Sequence, residues 1–321
     1  MKAYSPKLLK RYWLLLGLLL VFAVTLADST NTVSSLGQWL KVHRGLDAAI
    51  ILIFFSSGML LDARQIRAGL QDYTGTLVAL AVIFIIAPAA AAVLSLMPLP
   101  TGVLIGLILV AVMPTTLGSG VVMSGAAGGH MAHALFITIL ANTLAVLLIP
   151  VSLSLLLLVI GGETSVIIDK TGIMFKLCGF VLLPLASGLL IKRSVDPLSR
   201  RSARFLPIFT QCLILVTIWM GLSQTRQAII SGGSMIVLII FLAFLFHAVL
   251  LAAAGGLCWG FGLGRGRRES IIFMGAQKTL PLSIILQVDL FPQFGLALVF
   301  CVVHHIVHLL MDSYLVGRLR N

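Results

Sequence analysis

The chain has 321 residues, 60% of them hydrophobic and only 10% charged, with a net charge of +12. That composition excludes a soluble domain and predicts an all-α polytopic membrane protein embedded in a lipid bilayer. It also excludes nucleic-acid binding: the basic residues lie in short loops between apolar runs and form no basic patch interleaved with aromatic residues.

Ten apolar runs of spanning length follow one another, near residues 12–27, 46–61, 76–96, 101–126, 131–159, 172–191, 205–224, 234–263, 269–290 and 294–316. The first follows Lys7, Lys10 and Arg11 and ends at Ala27, a pattern that also fits a signal peptide. The second ends at Asp62, with Arg64 and Arg67 just beyond, an interfacial charge cluster. The fifth opens with His130 and His133 and carries Thr138 and Asn142 one turn apart. Lys176 lies one turn inside the sixth and reads as a snorkelling residue. His247 is alone on the apolar eighth and reads as a packing residue. The last run carries His304, His305, His308 and Asp312. Cys178, Cys212, Cys258 and Cys301 sit in apolar runs without close spacing, so neither a disulfide framework nor a zinc site is indicated.

An even number of spans puts both termini on one side. With the N-terminus inside, the inner loops hold Lys2, Lys7, Lys10, Arg11, Arg64, Arg67, Lys192, Arg193, Arg200, Arg201, Arg204, Arg265, Arg267, Arg268, Arg318 and Arg320. The outer loops then hold only Lys41, Arg44, Lys170 and Arg226. That bias predicts cytoplasmic termini in a plasma or inner membrane.

Two segments carry the chemistry. Lys278 lies mid-run in Phe273-Met-Gly-Ala-Gln-Lys-Thr-Leu-Pro281. An ammonium at membrane depth costs roughly 2.5–3.5 kcal/mol or more, so it must face a cavity, a partner or an ion. Gly275 and Pro281 bracket it and predict a broken helix. Its counterpart in the first half runs from Met113 through Pro114, Thr115, Thr116, Ser119 and Ser124 to Gly129, with five glycines between 118 and 129. Small residues there also suit close helix packing. The fragments 63–66 and 225–228, and Thr116-Leu117 and Thr279-Leu280, recur at offsets of 162 and 163 residues. An offset near half the chain predicts one transporter domain made of inverted repeats, about 1–160 and 170–321.

With Phe54-Phe-Ser-Ser-Gly-Met-Leu-Leu61 and Pro88, these segments make the chain similar to the bile acid:sodium symporter superfamily, and within it to the divergent SBF-like branch. The resemblance implies ten helices with crossing discontinuous helices four and nine. It also implies alternating access between a core and a panel of spans one, two, six and seven, eased by Gly58 and Gly221. Carried over position by position, Ser119 keeps the serine of the first sodium site and Gly120 replaces its asparagine. Thr138 and Gln277 are kept. Phe273 replaces the carboxylate shared by both sodium sites, Lys278 replaces an asparagine, and Ile83 replaces a glutamine. The site is then expected to have lost its negative charge. The ammonium of Lys278 would take the place of a bound sodium, attract an anionic solute, or exchange a proton.

The candidate binding set is therefore Thr115, Thr116, Ser119, Ser124, His130, Thr138, Asn142, Gln277, Lys278 and Thr279. The expected partner is a small organic anion, a carboxylate or a sulfonate. The coupling ion is sodium or a proton, and no other cofactor is expected. His304, His308 and Asp312 share a helix face, a pattern that fits a polar packing stripe, a proton relay or a transition-metal site. No Ser-His-Asp ordering, zinc motif or Walker sequence marks an enzyme. A non-transporting regulatory protein on the same scaffold and a cation or metal exchanger are the alternatives.

Overall fold

A computed structural model describes residues 6–61, 71–116, 118–160, 169–194, 200–231 and 233–319. All regular structure among these residues is helical. Chains this apolar have no other open choice, because in hydrocarbon each backbone N–H and C=O must find its partner within the segment.

The helices are α1 (Pro6–Leu26), α2 (Thr32–Val42), α3 (Gly45–Leu60), α4 (Tyr73–Leu94), α5 (Thr101–Val112), α6 (Ser119–Ala126) and α7 (Met131–Ile160). They continue with α8 (Lys170–Leu177 running through to Leu183–Ser194), α9 (Arg200–Ser231), α10 (Ile236–Gly260), α11 (Arg267–Ala276), α12 (Leu280–Leu290) and α13 (Gly295–Leu319). Among the described residues seven helical stretches are long and apolar enough to cross a membrane, or eight if α2 and α3 count as one span bent by 72°. The protein is thus a polytopic helical membrane protein. The apolar runs predict no helix over 32–42; α2 is the addition. Its Leu36 and Trp39 are exposed on a short helix, where an aromatic ring suits a membrane interface.

Two helices contain single π turns, Val82–Ile86 in α4 and Cys178–Leu182 in α8. Two predicted spans are broken. Past Val112 the chain leaves the helix at Met113, in extended conformation, and Pro114 has no N–H with which to resume it. Past Ala276, Gln277 and Thr279 are extended, and Pro281 sits in the first turn of α12, where its missing N–H costs nothing.

The helices pack in two groups. α1, α2, α3, α8 and α9 pack on one another, and α4 to α7 pack with α10 to α13. The α11–α12 span is enclosed except at its two ends, and α13 packs against α5, α9, α10 and α12. Gly58 and Gly188 set the closest approach, α3 on α8. A Cβ at Gly58 would stand 2.2 Å from the Leu185 carbonyl oxygen, and one at Gly188 would stand 2.1 Å from that of Phe55. Gly58 therefore serves packing within one group of helices. Gly221 lies between the groups, against Leu298 of α13 and Ile284 of α12.

The charge cluster Asp62, Arg64 and Arg67, the repeat fragment 63–66 and Leu117 lie outside the described residues. So do Lys2 and Arg320 and the side chains of Lys7, Lys10, Arg11, Arg193, Arg200, Arg201 and Arg204.

Candidate functional site

The two breaks meet. The backbone N–H of Thr279 donates to the carbonyl of Pro114 at 2.9 Å. Beside this bridge the Lys278 ammonium, 2% exposed, donates to three backbone carbonyls: Ile83 at 2.9 Å, Ala111 at 3.1 Å and Met113 at 2.9 Å. Each carbonyl is free for a local reason. Ala111 and Met113 lie at the C-terminal end of α5, where the last carbonyls of a helix lack intrahelical donors. Ile83 lies in the π turn of α4. The Ala87 N–H goes to Val82, and Pro88, five residues past Ile83, has no N–H to give. An ammonium has three N–H donors, and here all three are used.

Gln277, completely buried, forms a second node. Its Oε1 accepts from Thr116 Oγ1 at 2.6 Å and Ser119 Oγ at 3.0 Å, and its Nε2 donates to Asp312 Oδ2 at 2.7 Å. The carboxylate fixes the amide's orientation, since it can only accept. Thr116 Oγ1 also accepts the Gly120 N–H at 3.1 Å, which anchors the start of α6. A Cβ at Gly120 would stand 2.8 Å from Met274 Sδ and 3.0 Å from Gln277 Oε1, so an asparagine at this position would have to displace those two side chains.

Asn142 bridges the first break to α7, donating to Thr115 O at 3.2 Å and Thr138 O at 2.9 Å. Its Oδ1 and the Thr115 hydroxyl are buried without a partner among the described residues. Ser124 and Thr138 are buried at the site but bond back into their own helices, to Gly120 O at 2.7 Å and Ala134 O at 2.9 Å.

His130 is not part of the crossing. It is exposed; its N–H bonds to Gly266 O at 2.9 Å, and its carbonyl accepts from Ser270 at 3.0 Å. It therefore ties the start of α7 to the start of α11. A second tie stands beside it. Arg267 makes a two-pronged bond to Asp72 at 2.6 and 2.7 Å, and Asp72 caps α4 through the Gly75 N–H at 2.8 Å. Burial pushes the Asp72 carboxyl up, but the Arg267 and Gly75 hydrogen bonds and the charges of His133 and Arg267 outweigh it, holding the group below its ordinary range. Lys176 pairs with Asp289 on α12, both side chains about one third exposed, so its ammonium reaches the surface with a partner there.

The expectation that the site lacks negative charge is also overturned. Phe273 packs with Ala127 and Val316, but Asp312 of α13, completely buried, brings a carboxylate to Gln277. Its other oxygen receives His247 Nε2 at 2.9 Å, so His247 is a polar partner, more than packing. The helical spacing of the last run was a signal for a polar stripe. What it lacked was the rotation and depth at which α13 docks. Among the described residues no three His, Cys, Asp or Glu side chains are placed to hold a metal ion.

Known proteins resemble this one along nearly its whole length. It is 29% identical over 281 residues to the "Probable sodium/metabolite cotransporter BASS4, chloroplastic" of Arabidopsis thaliana, an alignment that covers 83% of this chain and 64% of that one. The chain thus spans less than two thirds of that relative's length. It is 27% identical over 326 residues to "Sodium/bile acid cotransporter 7" of Xenopus tropicalis, covering 98% and 93% of the two chains. It is 25% identical over 324 residues to the mouse protein of that name (97% and 93%). Residues 13–321 match the model of one family. Its interrupted helices and these likenesses lead to one assignment: the chain belongs to the SBF-like CPA transporter family, within the bile acid:sodium symporter superfamily.

Proposed function

We propose that the chain is a secondary active transporter of a small organic anion in which the ammonium of Lys278 permanently fills one cation position. The observation that carries this reading is the carbonyl cage of Ile83, Ala111 and Met113 around Lys278. Inward-pointing backbone carbonyls are how proteins replace the hydration shell of an alkali ion. Here a tethered ammonium meets the same oxygens. With its three hydrogens committed, Lys278 acts on a solute through its charge rather than by donating to it. The Thr115 hydroxyl, without a partner among the described residues, is the donor left for a carboxylate or sulfonate, beside the positive ends of α6 and α12.

The architecture of this reading is ten spans in two inverted repeats, about 1–160 and 170–321, with both termini cytoplasmic in a plasma or inner membrane. Counting α5–α6 and α11–α12 as one broken span each, and α2 as an appendage of α3, supports that number. The packing of α1, α2, α3, α8 and α9 as one group supports a panel that rocks against the rest. The relatives are named for sodium coupling and for bile acid or metabolite cargo. A lysine in a cation's place favours protons or no coupling ion here.

A second reading keeps sodium. Thr116, Ser119 and Gln277 oxygens converge within 3.0 Å of one another, with the Asp312 carboxylate on the far side of Gln277, and a hard cation needs such ligands. Uptake of labelled carboxylates and sulfonates into proteoliposomes separates the two. On the first reading uptake follows an imposed proton gradient, or none, and is unchanged by a sodium gradient at fixed pH. Uptake that rises with the sodium gradient establishes the second.

A further inference from the structure

We propose that His247, paired with Asp312 and ringed by His304, His305 and His308, is a proton-binding site whose charge is passed to the crossing through Gln277. No residue of this cluster is needed for the lysine cage, and all five are buried, none more than 6% exposed. The rings pack on one another with centroids 5.7 Å apart for His247–His304, 5.6 Å for His247–His308, 5.5 Å for His304–His308 and 4.6 Å for His305–His308. Phe246 and Phe300 close over His304. Polar atoms in such a place ordinarily have partners. Yet His247 Nδ1, His304 Nε2, His305 Nδ1 and both ring nitrogens of His308 have none among the described residues. A group of imidazoles packed together with unused nitrogens has the means to take a proton and hand it on.

The geometry names the acceptor. His247 Nε2 carries the hydrogen it gives to Asp312, so the free lone pair is on Nδ1. A proton from water, entering by way of His304 or His308, adds there. The ring becomes imidazolium and the His247–Asp312 pair passes from one net negative charge to none. Release reverses the step, Nδ1–H returning the same proton. With His247 neutral, Asp312 is a bare buried carboxylate and holds the Gln277 amide strongly. With His247 charged, that carboxylate is neutralised and its hold on Gln277 relaxes, freeing Oε1 from its set relation to Thr116 and Ser119.

The charged and titratable surroundings stand mostly at helix ends: Asp72 and Tyr73 at the start of α4, Arg267, Arg268 and Glu269 at the start of α11, and Tyr314 and Arg318 toward the end of α13. At the second break stands Lys278, held by the carbonyls of Ile83, Ala111 and Met113. On α10, Cys258 lies about three turns from His247. On α13 itself Cys301 faces the Gly106 carbonyl. Asp289 of α12 is paired with Lys176. On α9, Arg226 is held by the carbonyls of Thr25 and Leu26, and Cys212 is exposed. α5 and α6 carry no ionisable side chain.

Proton binding is a property of the resting protein; only its use in a cycle rests on the transporter reading. The test is solid-state NMR of the full chain in lipid bilayers, ring-nitrogen-labelled at histidine, between about pH 5 and about pH 8. The expected result is a buried imidazole that passes from neutral to doubly protonated in that range. Its signal is absent in His247→Gln, and the transition is lost from the window in Asp312→Asn, while the signals of exposed His43 and His130 are the same in all three proteins. With buried His133 assigned by its loss in His133→Gln, rings of the cluster that keep one form throughout, or a titration among them that survives His247→Gln, overturn the proposal. Should Asp312→Asn fail to fold, the wild type and His247→Gln decide it. A titration found in a protein that moves no anion upholds the proton site and defeats the transporter reading.

Discussion

Lys278 is the residue on which the site turns, and its energetics are those of a satisfied cation. A buried ammonium is tolerable here because three carbonyls meet it at 2.9–3.1 Å. Lys278→Met removes the donor and leaves those carbonyls buried and unpaired, a loss of about 3 kcal/mol or more. It should appear as a lower Tm in detergent. Lys278→Ala leaves the same oxygens and more space. Added sodium should raise the Tm of that variant and leave the wild type unchanged, since a cation that binds only the folded state stabilises it by mass action. A variant as stable as wild type, or indifferent to every alkali ion, would remove the cation-substitute reading. The composition made Lys278 conspicuous as a charge out of place. Its partners were illegible because they are backbone atoms, released by a π turn and a helix end that no side-chain pattern announces; Pro88 was the only trace.

At the scale of helices, packing and caps make separate claims. Gly58→Val would push against the Leu185 carbonyl, a backbone atom that cannot turn aside, and overpacking of this kind costs about 2–3 kcal/mol. Thermal unfolding should register it directly. The Asp72–Arg267 tie predicts a pH effect. A carboxyl held low in the folded state binds fewer protons there than in the unfolded chain. Its stabilisation is complete above the ordinary value of 3.8 and is lost as pH falls below it. Asp72→Asn keeps the cap and drops the ion pair. Because Arg267 is 41% exposed, the loss at neutral pH should be about 1 kcal/mol, and the variant's stability should vary less with pH in the acid range. The breaks in α5–α6 and α11–α12 were legible from Pro114, Pro281 and the glycines. Helix α2 was missed because its few apolar residues fall short of a spanning run.

The whole molecule is two packed groups of helices that meet partly through α9 and α13. Gly221 sits on that contact, where a Cβ would stand 2.9 Å from a Leu298 methyl group, an atom able to yield. Gly221→Val should therefore cost less stability than Gly58→Val yet, on the proposed transport cycle, slow anion uptake more, because it thickens the surface across which that cycle moves the two groups. Equal losses of Tm and rate in both variants would argue against relative motion at this contact. The enclosed α11–α12 span fits the same scheme, as the part that keeps its surroundings while the panel moves.

By itself the sequence determined a membrane protein, because a chain 60% hydrophobic and 10% charged has no other solvent. It also determined where its helices break, since proline and glycine act on their own backbone. Only the tertiary structure decided what the polar residues of the spans do. Gln277, Asp312 and His247 come from three different helices, and a hydrogen bond across 35 or 65 residues depends on how each helix is turned and how deep it sits. The periodicity of one segment contains neither quantity. That is why a stripe read as one helix's polar face became the carboxylate and imidazole side of the crossing.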